Sequence, residues 1–282
     1  MSGTVDRVAL RAFASTLAAW TPVSEFPAAL RPEVFGLLRP GGPVRQLPWG
    51  AGASQQLRSS AAWAPYLDHT LLRPDAVLAE VRQLGEEARA HRFGGACVHP
   101  AHVSTLVGVL GDAQVVPIAV VGFPHGAHRA RVKALEVQLA VSEGARELDA
   151  VAALGALREA DVDRALEDIQ AVVEAARPWP VKLILETGLL DRRAVVLGAT
   201  LALVTGCAAV KTSTGFGAPG ARVEDVALLR AVVGDALQVK AAGGVRTREQ
   251  ALAMVEAGAS RLGTSASVWL VQGDAAPLAI GH

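Results

Sequence analysis

From Tyr66 onward the chain repeats one alternation eight times: a short run of β-forming residues, then a longer stretch with helical spacing of apolar positions. The runs lie at 66–72, 95–99, 114–122, 147–153, 181–187, 208–214, 238–244 and 261–267. Helical stretches follow at 75–91, 101–110, 128–143, 161–176, 191–205, 224–233 and 247–257, with a short one from Val268. Strands separated by helices run parallel, and the helices cover the sheet. Eight such units predict an α/β chain closed as a (β/α)8 TIM barrel, and the span is near the lower limit of ~200 residues for that fold. An open doubly wound sheet is the alternative, but no Gly-x-Gly-x-x-Gly turn follows the first run. A barrel places reacting groups at the C-terminal ends of its strands and in the loops just beyond.

Residues 1–65 do not share this rhythm. Val5, Leu10, Phe13, Leu17 and Trp20 fall on one face of a helix, and then six prolines between Pro22 and Pro48 interrupt any long element. The expected organisation is an N-terminal extension, 1–65, packed on a catalytic barrel, 66–282.

Equal numbers of basic and acidic residues, 27 each, argue against a general nucleic-acid binder. The uncharged stretch from Ala194 to Val210 is slightly short for a membrane span, which needs ~20 apolar residues. It reads better as a helix ending at Gly206 and a strand starting near Ala208. Cys97 and Cys207 sit far apart in apolar surroundings, the pattern of buried reduced thiols in a cytoplasmic protein.

The basic residues are 23 arginines and only four lysines: Lys133, Lys182, Lys211 and Lys240. Codon bias is the plain cause of such a ratio. An amine, unlike a guanidinium, can lose its proton and attack a carbonyl. Three of the four fall on expected strands, beside Asp68, Glu147, Asp149 and Glu186, where an unpaired ion is costly. Lys211 ends the sixth strand and Lys240 lies on the seventh, about 4.8 Å away if paired. A neighbouring cation disfavours the protonated amine, whose ordinary pKa is ~10.4. That is the environment of a Schiff-base lysine. Asp149 is a candidate for moving protons, Asp68 is a second, and spacing alone does not exclude Glu147. Lys182 reads as a structural ion-pair partner, and Lys133 as a helix-surface residue beside Glu136.

Glycine-rich turns follow strands six to eight: Gly215, Gly243-Gly244 and Gly263 with Ser265. Backbone amides at such turns attract phosphate, and barrels often bind it after strands seven and eight. The pairs His99/His102 and His125/His128 are weak metal cues, each lacking a third ligand.

These segments resemble the deoxyribose-phosphate aldolases, class I aldolases of the (β/α)8 type, over about residues 67–268. The likeness runs through Leu67-Asp68-His69-Thr70, Ala96-Cys97-Val98-His99-Pro100, Val121-Gly122-Phe123-Pro124, Glu147-Leu148-Asp149 and Leu185-Glu186-Thr187-Gly188. It continues in Val210-Lys211-Thr212-Ser213-Thr214-Gly215, Lys240-Ala241-Ala242-Gly243-Gly244-Val245-Arg246-Thr247 and Gly263-Thr264-Ser265. The resemblance implies reversible cleavage of 2-deoxy-D-ribose 5-phosphate to acetaldehyde and glyceraldehyde 3-phosphate, with no metal or other cofactor. It implies Lys211 as the imine-forming lysine, Lys240 as the lysine that perturbs it and Asp149 as the acid/base. Asp68 and Thr70 are implied near the substrate, and Gly215, Gly243, Gly244, Gly263 and Ser265 around its phosphate. Phosphosugar and aldehyde are then the partners, without nucleic acid or membrane, and a homodimer is open to it. Two departures stand out: Ala266 where some members have a second serine, and a tail, 277–282, without tyrosine. Another Schiff-base aldolase for a different phosphosugar, or a non-catalytic phosphosugar-binding barrel, is the alternative.

Overall fold

The computed structural model describes residues 5–19, 63–217 and 219–273. Eight parallel strands close into a barrel in sequence order: β1 (Leu67–Thr70), β2 (Gly95–Val98), β3 (Val116–Val121), β4 (Glu147–Val151), β5 (Val181–Ile184), β6 (Ala209–Lys211), β7 (Gln238–Ala242) and β8 (Arg261–Thr264). The strands are shorter than the expected runs. Segments such as 212–214 and 265–266 continue the composition of a strand but leave the ladder to become the loops above it.

Ten α-helices stand among the described residues. They are α1 (Arg7–Ala19), α2 (Leu78–His91), α3 (Val103–Leu110), α4 (Ala130–Ser142), α5 (Leu154–Arg158), α6 (Val162–Ala176), α7 (Arg192–Thr205), α8 (Val223–Val233), α9 (Arg248–Glu256) and α10 (Ser267–Gln272). The short α5 was not foreseen; it inserts an extra turn between β4 and its covering helix. The uncharged stretch forms α7, which ends at Gly206 in the left-handed conformation (φ 81°). No helix among the described residues is long and apolar enough to cross a membrane.

The main core lies between strands and helices, where Val98, Val121, Leu183 and Val210 meet Leu84, Leu106, Leu166 and Leu229. α1 packs against α6 and α7, burying Leu10, Phe13 and Leu17, and its Arg7 and Arg11 pair with Asp163 on α6. Trp20 and the prolines at 22–48 lie outside the described residues, as does the tail at 277–282.

One sequence reading is overturned here. Lys133 is not on the helix surface with Glu136; it is fully buried. Its Nζ donates to the Val151 carbonyl at 2.8 Å and to Asp168 at 2.8 Å. Glu136 instead accepts the Gly122 amide at 2.7 Å. Charge spacing along a helix does not reveal that the end of a strand offers a carbonyl inward.

Candidate active site

The inside of the barrel is charged. Asp68, Glu147, Asp149, Lys182, Lys211, Lys240 and Arg261 come from six strands, and none is more than 7% exposed. Such groups persist in a low-dielectric interior only when paired, and each is.

Asp149 is the hub. Its Oδ1 accepts from Lys182 Nζ at 3.0 Å, and its Oδ2 accepts from Lys211 Nζ at 2.9 Å and Lys240 Nζ at 2.7 Å. The register pairs Lys211 directly with Lys240, which brings both amines to one oxygen. The expected approach of the two lysines therefore occurs, with a carboxylate shared between them. Burial raises the Asp149 pKa, but Lys182, Lys211 and Lys240 outweigh it and hold the carboxyl well below its ordinary range.

Lys240 is gripped from two sides, with Asp68 Oδ2 at 2.5 Å and Asp149 at 2.7 Å. Burial alone would discharge it, yet Asp149 and Asp68 win and keep it a cation far above the ordinary lysine range. Lys182 is likewise held charged against burial by Asp149 and Glu147. Lys211 touches only the one carboxylate. Of the three amines it is the least committed, and it stands at the C-terminal end of its strand.

Asp68 is wholly buried. Its Oδ1 accepts from Arg261 Nε at 2.8 Å and pairs with Arg261 Nη2 at 2.7 Å. Burial pushes its pKa up, but Arg261, Lys240 and Lys182 together hold it below the ordinary 3.8. Asp68 therefore faces Lys240 and Arg261 rather than open space. Thr70, the last residue of β1, turns its hydroxyl back to the Asp68 carbonyl at 2.8 Å.

Gly215, Gly243 and Gly244 follow β6 and β7 with φ of 93°, 96° and 79°, values that side chains rarely adopt. A Cβ on Gly243 would lie 3.4 Å from the Gly215 Cα, so the two turns converge. Ser265 is exposed in the turn after β8. Gly263 differs from the turn residue expected: it is inside β8, where a Cβ would come 2.9 Å from Lys240 Cε. Its small size admits the Lys240 stem.

Two residues of this cluster, Lys182 and Arg261, are not assigned to the site by the sequence reading, which leaves Glu147 open. Lys182 does form ion pairs, but with the hub itself. Glu147 forms an ion pair with Lys182. Arg261 was hidden among 23 arginines; its signal is a charge opening a barrel strand. Glu186, with φ 44°, accepts the Thr214 amide at 2.9 Å and its hydroxyl as well, shaping the loop beyond Lys211. Above the cluster, Phe123 sets its ring edge-on to Phe216 at 5.3 Å and packs against His99 at 5.6 Å, giving the mouth an apolar wall. His99 Nε2 is hydrogen-bonded to the Leu72 carbonyl at 2.8 Å. Burial pushes the Cys97 thiol beneath this wall up to about 11, with help from Asp149.

Comparison with known proteins agrees with this geometry. A deoxyribose-phosphate aldolase of Bdellovibrio bacteriovorus is 45% identical over 208 residues, which are 74% of this chain and 94% of the relative. One of Macrococcus caseolyticus is 45% identical over 213 residues, 76% of this chain and 97% of the relative. The solved deoxyribose phosphate aldolase of Aeropyrum pernix, described as a tetramer, superposes with a TM-score of 0.72 at 31% identity, over 80% of this chain and 97% of that one. The pattern of the DeoC/LacD family aldolases matches residues 65–276, and the chain belongs to that family.

Proposed function

We propose that this aldolase cleaves 2-deoxy-D-ribose 5-phosphate reversibly to acetaldehyde and D-glyceraldehyde 3-phosphate through an imine on Lys211. The observation that carries the reading is the single oxygen of Asp149 shared by Lys211 and Lys240, at the strand ends beside converging glycine turns.

The chemistry follows from the charges. Lys211 as the free amine attacks C1 of the open-chain sugar, and the carbinolamine loses water to give an iminium. The iminium draws electrons from the C2–C3 bond as a base removes the proton of the C3 hydroxyl. That bond breaks, glyceraldehyde 3-phosphate leaves, and an enamine remains. Protonation at C2 and addition of water then release acetaldehyde and the amine. Asp149 and Lys240 sit where protons must move. A carboxylate ringed by three ammonium groups is a weak base; converting Lys211 to a neutral amine removes one of them and makes Asp149 a better one. Lys240 gives its proton to C2 of the enamine and is recharged through its hydrogen bond by Asp149, which carries the proton taken from the C3 hydroxyl.

The turns at Gly215 and Gly243-Gly244, with Ser265, are assigned to the phosphate through their backbone amides. Gly263 contributes room for Lys240. Asp68 orients Lys240, and Thr70 borders the substrate. Two buried free thiols suit a reducing, cytoplasmic setting.

The direct test is cleavage of deoxyribose 5-phosphate beside other phosphosugars, following glyceraldehyde 3-phosphate. Preference for the deoxy sugar supports the reading. Equal or better cleavage of another phosphosugar assigns the chain a different substrate, and no cleavage of any leaves a binding barrel.

A further inference from the structure

The buried cluster has a charge that can be counted. Its ion pairs join three carboxylates, Asp68, Glu147 and Asp149, to four cations, Lys182, Lys211, Lys240 and Arg261; among the described residues they reach no eighth group. With every member charged, the buried cluster holds one excess positive charge. With Lys211 as the free amine, three cations face three carboxylates. The Cys97 thiol, which feels the charges of Asp149, Lys240, Lys211 and Asp68, is held neutral by burial.

The cation that completes this balance is Arg261, at the far end of the cluster from the reacting amine. It forks onto Asp68 Oδ1 through Nε and Nη2 and stands 3.8 Å from Glu147. By saturating Oδ1, it leaves Asp68 Oδ2 to Lys240, which holds Asp149, which holds Lys211. β2 makes room for the fork: a Cβ on Gly95 would fall 2.7 Å from Asp68 Oδ1 and 3.2 Å from Arg261 Nη2.

We infer that Arg261 and Glu147 are positioning residues that set the charge of the barrel interior, so that the cluster is neutral when Lys211 is the free nucleophile. Neither touches the reacting carbon. Arg261 contributes a permanent positive charge, and Glu147 subtracts one. The inference rests on Lys211 being the imine-forming lysine.

Replacing Arg261 by glutamine leaves three carboxylates facing three lysines, a balance met only when Lys211 is charged. Replacing Glu147 by glutamine leaves two carboxylates against three cations besides Lys211 and drives its proton off. The two changes therefore act with opposite sign, and the double variant restores the count.

The experiment traps acetaldehyde on the full-length protein with cyanoborohydride across pH 6 to 10 and locates the N-ethyl lysine by mass spectrometry. In R261Q the midpoint of trapping on Lys211 rises by about one pH unit, the order expected for loss of one buried charge at an effective dielectric near 20. In E147Q it falls. In R261Q/E147Q it returns to the parent value, and in R261K it stays close to the parent. If R261Q does not fold, the downward shift in E147Q and the near-parent midpoint in R261K still decide. Midpoints that stay at the parent value, or that move the same way in both single variants, overturn the inference and leave the assignment of Lys211 intact. A parent adduct on another residue overturns both.

Discussion

Lys211 and Lys240 occupy paired positions on β6 and β7 and donate to one and the same oxygen, Asp149 Oδ2, at 2.9 and 2.7 Å. Lys240 is also clamped by Asp68, whereas Lys211 has no second carboxylate. This asymmetry leaves one amine fixed between two carboxylates and its neighbour held by one.

Asp149→Asn removes the hub charge that three ammonium groups share. Cleavage of deoxyribose 5-phosphate should fall by at least ~100-fold, the usual worth of a general acid–base group. Steady-state kinetics at saturating substrate measure this, and a variant within a few-fold of the parent would remove Asp149 from proton transfer.

Gly263→Ala places a methyl carbon 2.9 Å from Lys240 Cε, closer than two non-bonded carbons can sit. Overpacking of this kind costs about 1–3 kcal/mol. The cost here falls on the lysine's position as well, so kcat should drop together with Tm. A fall in Tm with kcat unchanged would show that Lys240 can shift without consequence.

Lys133→Ala strands Asp168 inside the protein. Burial already pushes the Lys133 pKa down and the Asp168 pKa up, despite their mutual attraction. Breaking a buried pair typically costs about 3–5 kcal/mol. Urea denaturation should show a loss of that order, with part recovered in Lys133→Met/Asp168→Leu. A loss below ~1 kcal/mol would mean that water reaches the site.

Stability should be flat across neutral pH and fall at both extremes. Asp68 and Asp149 have folded pKa values below the ordinary 3.8. Their contribution is present above that value and is lost as pH falls toward the folded pKa. Lys240 and Lys182 are raised above the ordinary 10.5. Theirs is complete below that value and is lost as pH rises through the folded pKa. Thermal melts from pH 2 to 11 test both limbs; in Asp68→Asn the acid limb should be shallower.

The barrel was legible because eight alternations of strand and helix have few other solutions, and the lysines stood out by scarcity. The same scarcity hid Arg261, one arginine of 23 in composition yet the partner of Asp68 in space. Lys133 was misplaced because the Val151 carbonyl and Asp168 that hold it come from β4 and α6, distant in sequence. Gly263 reads as a turn glycine by composition, and only the path of the Lys240 stem shows why it is small. Short-range pattern carries the elements; the ion network depends on the register between strands.

The most direct test of the central claim is to reduce the enzyme with borohydride in the presence of deoxyribose 5-phosphate and to map the modified peptide. The account predicts a single adduct on Lys211, absent from Lys211→Arg, which should also be inactive. An adduct on Lys240 or Lys182, or an active Lys211→Arg enzyme, would contradict it.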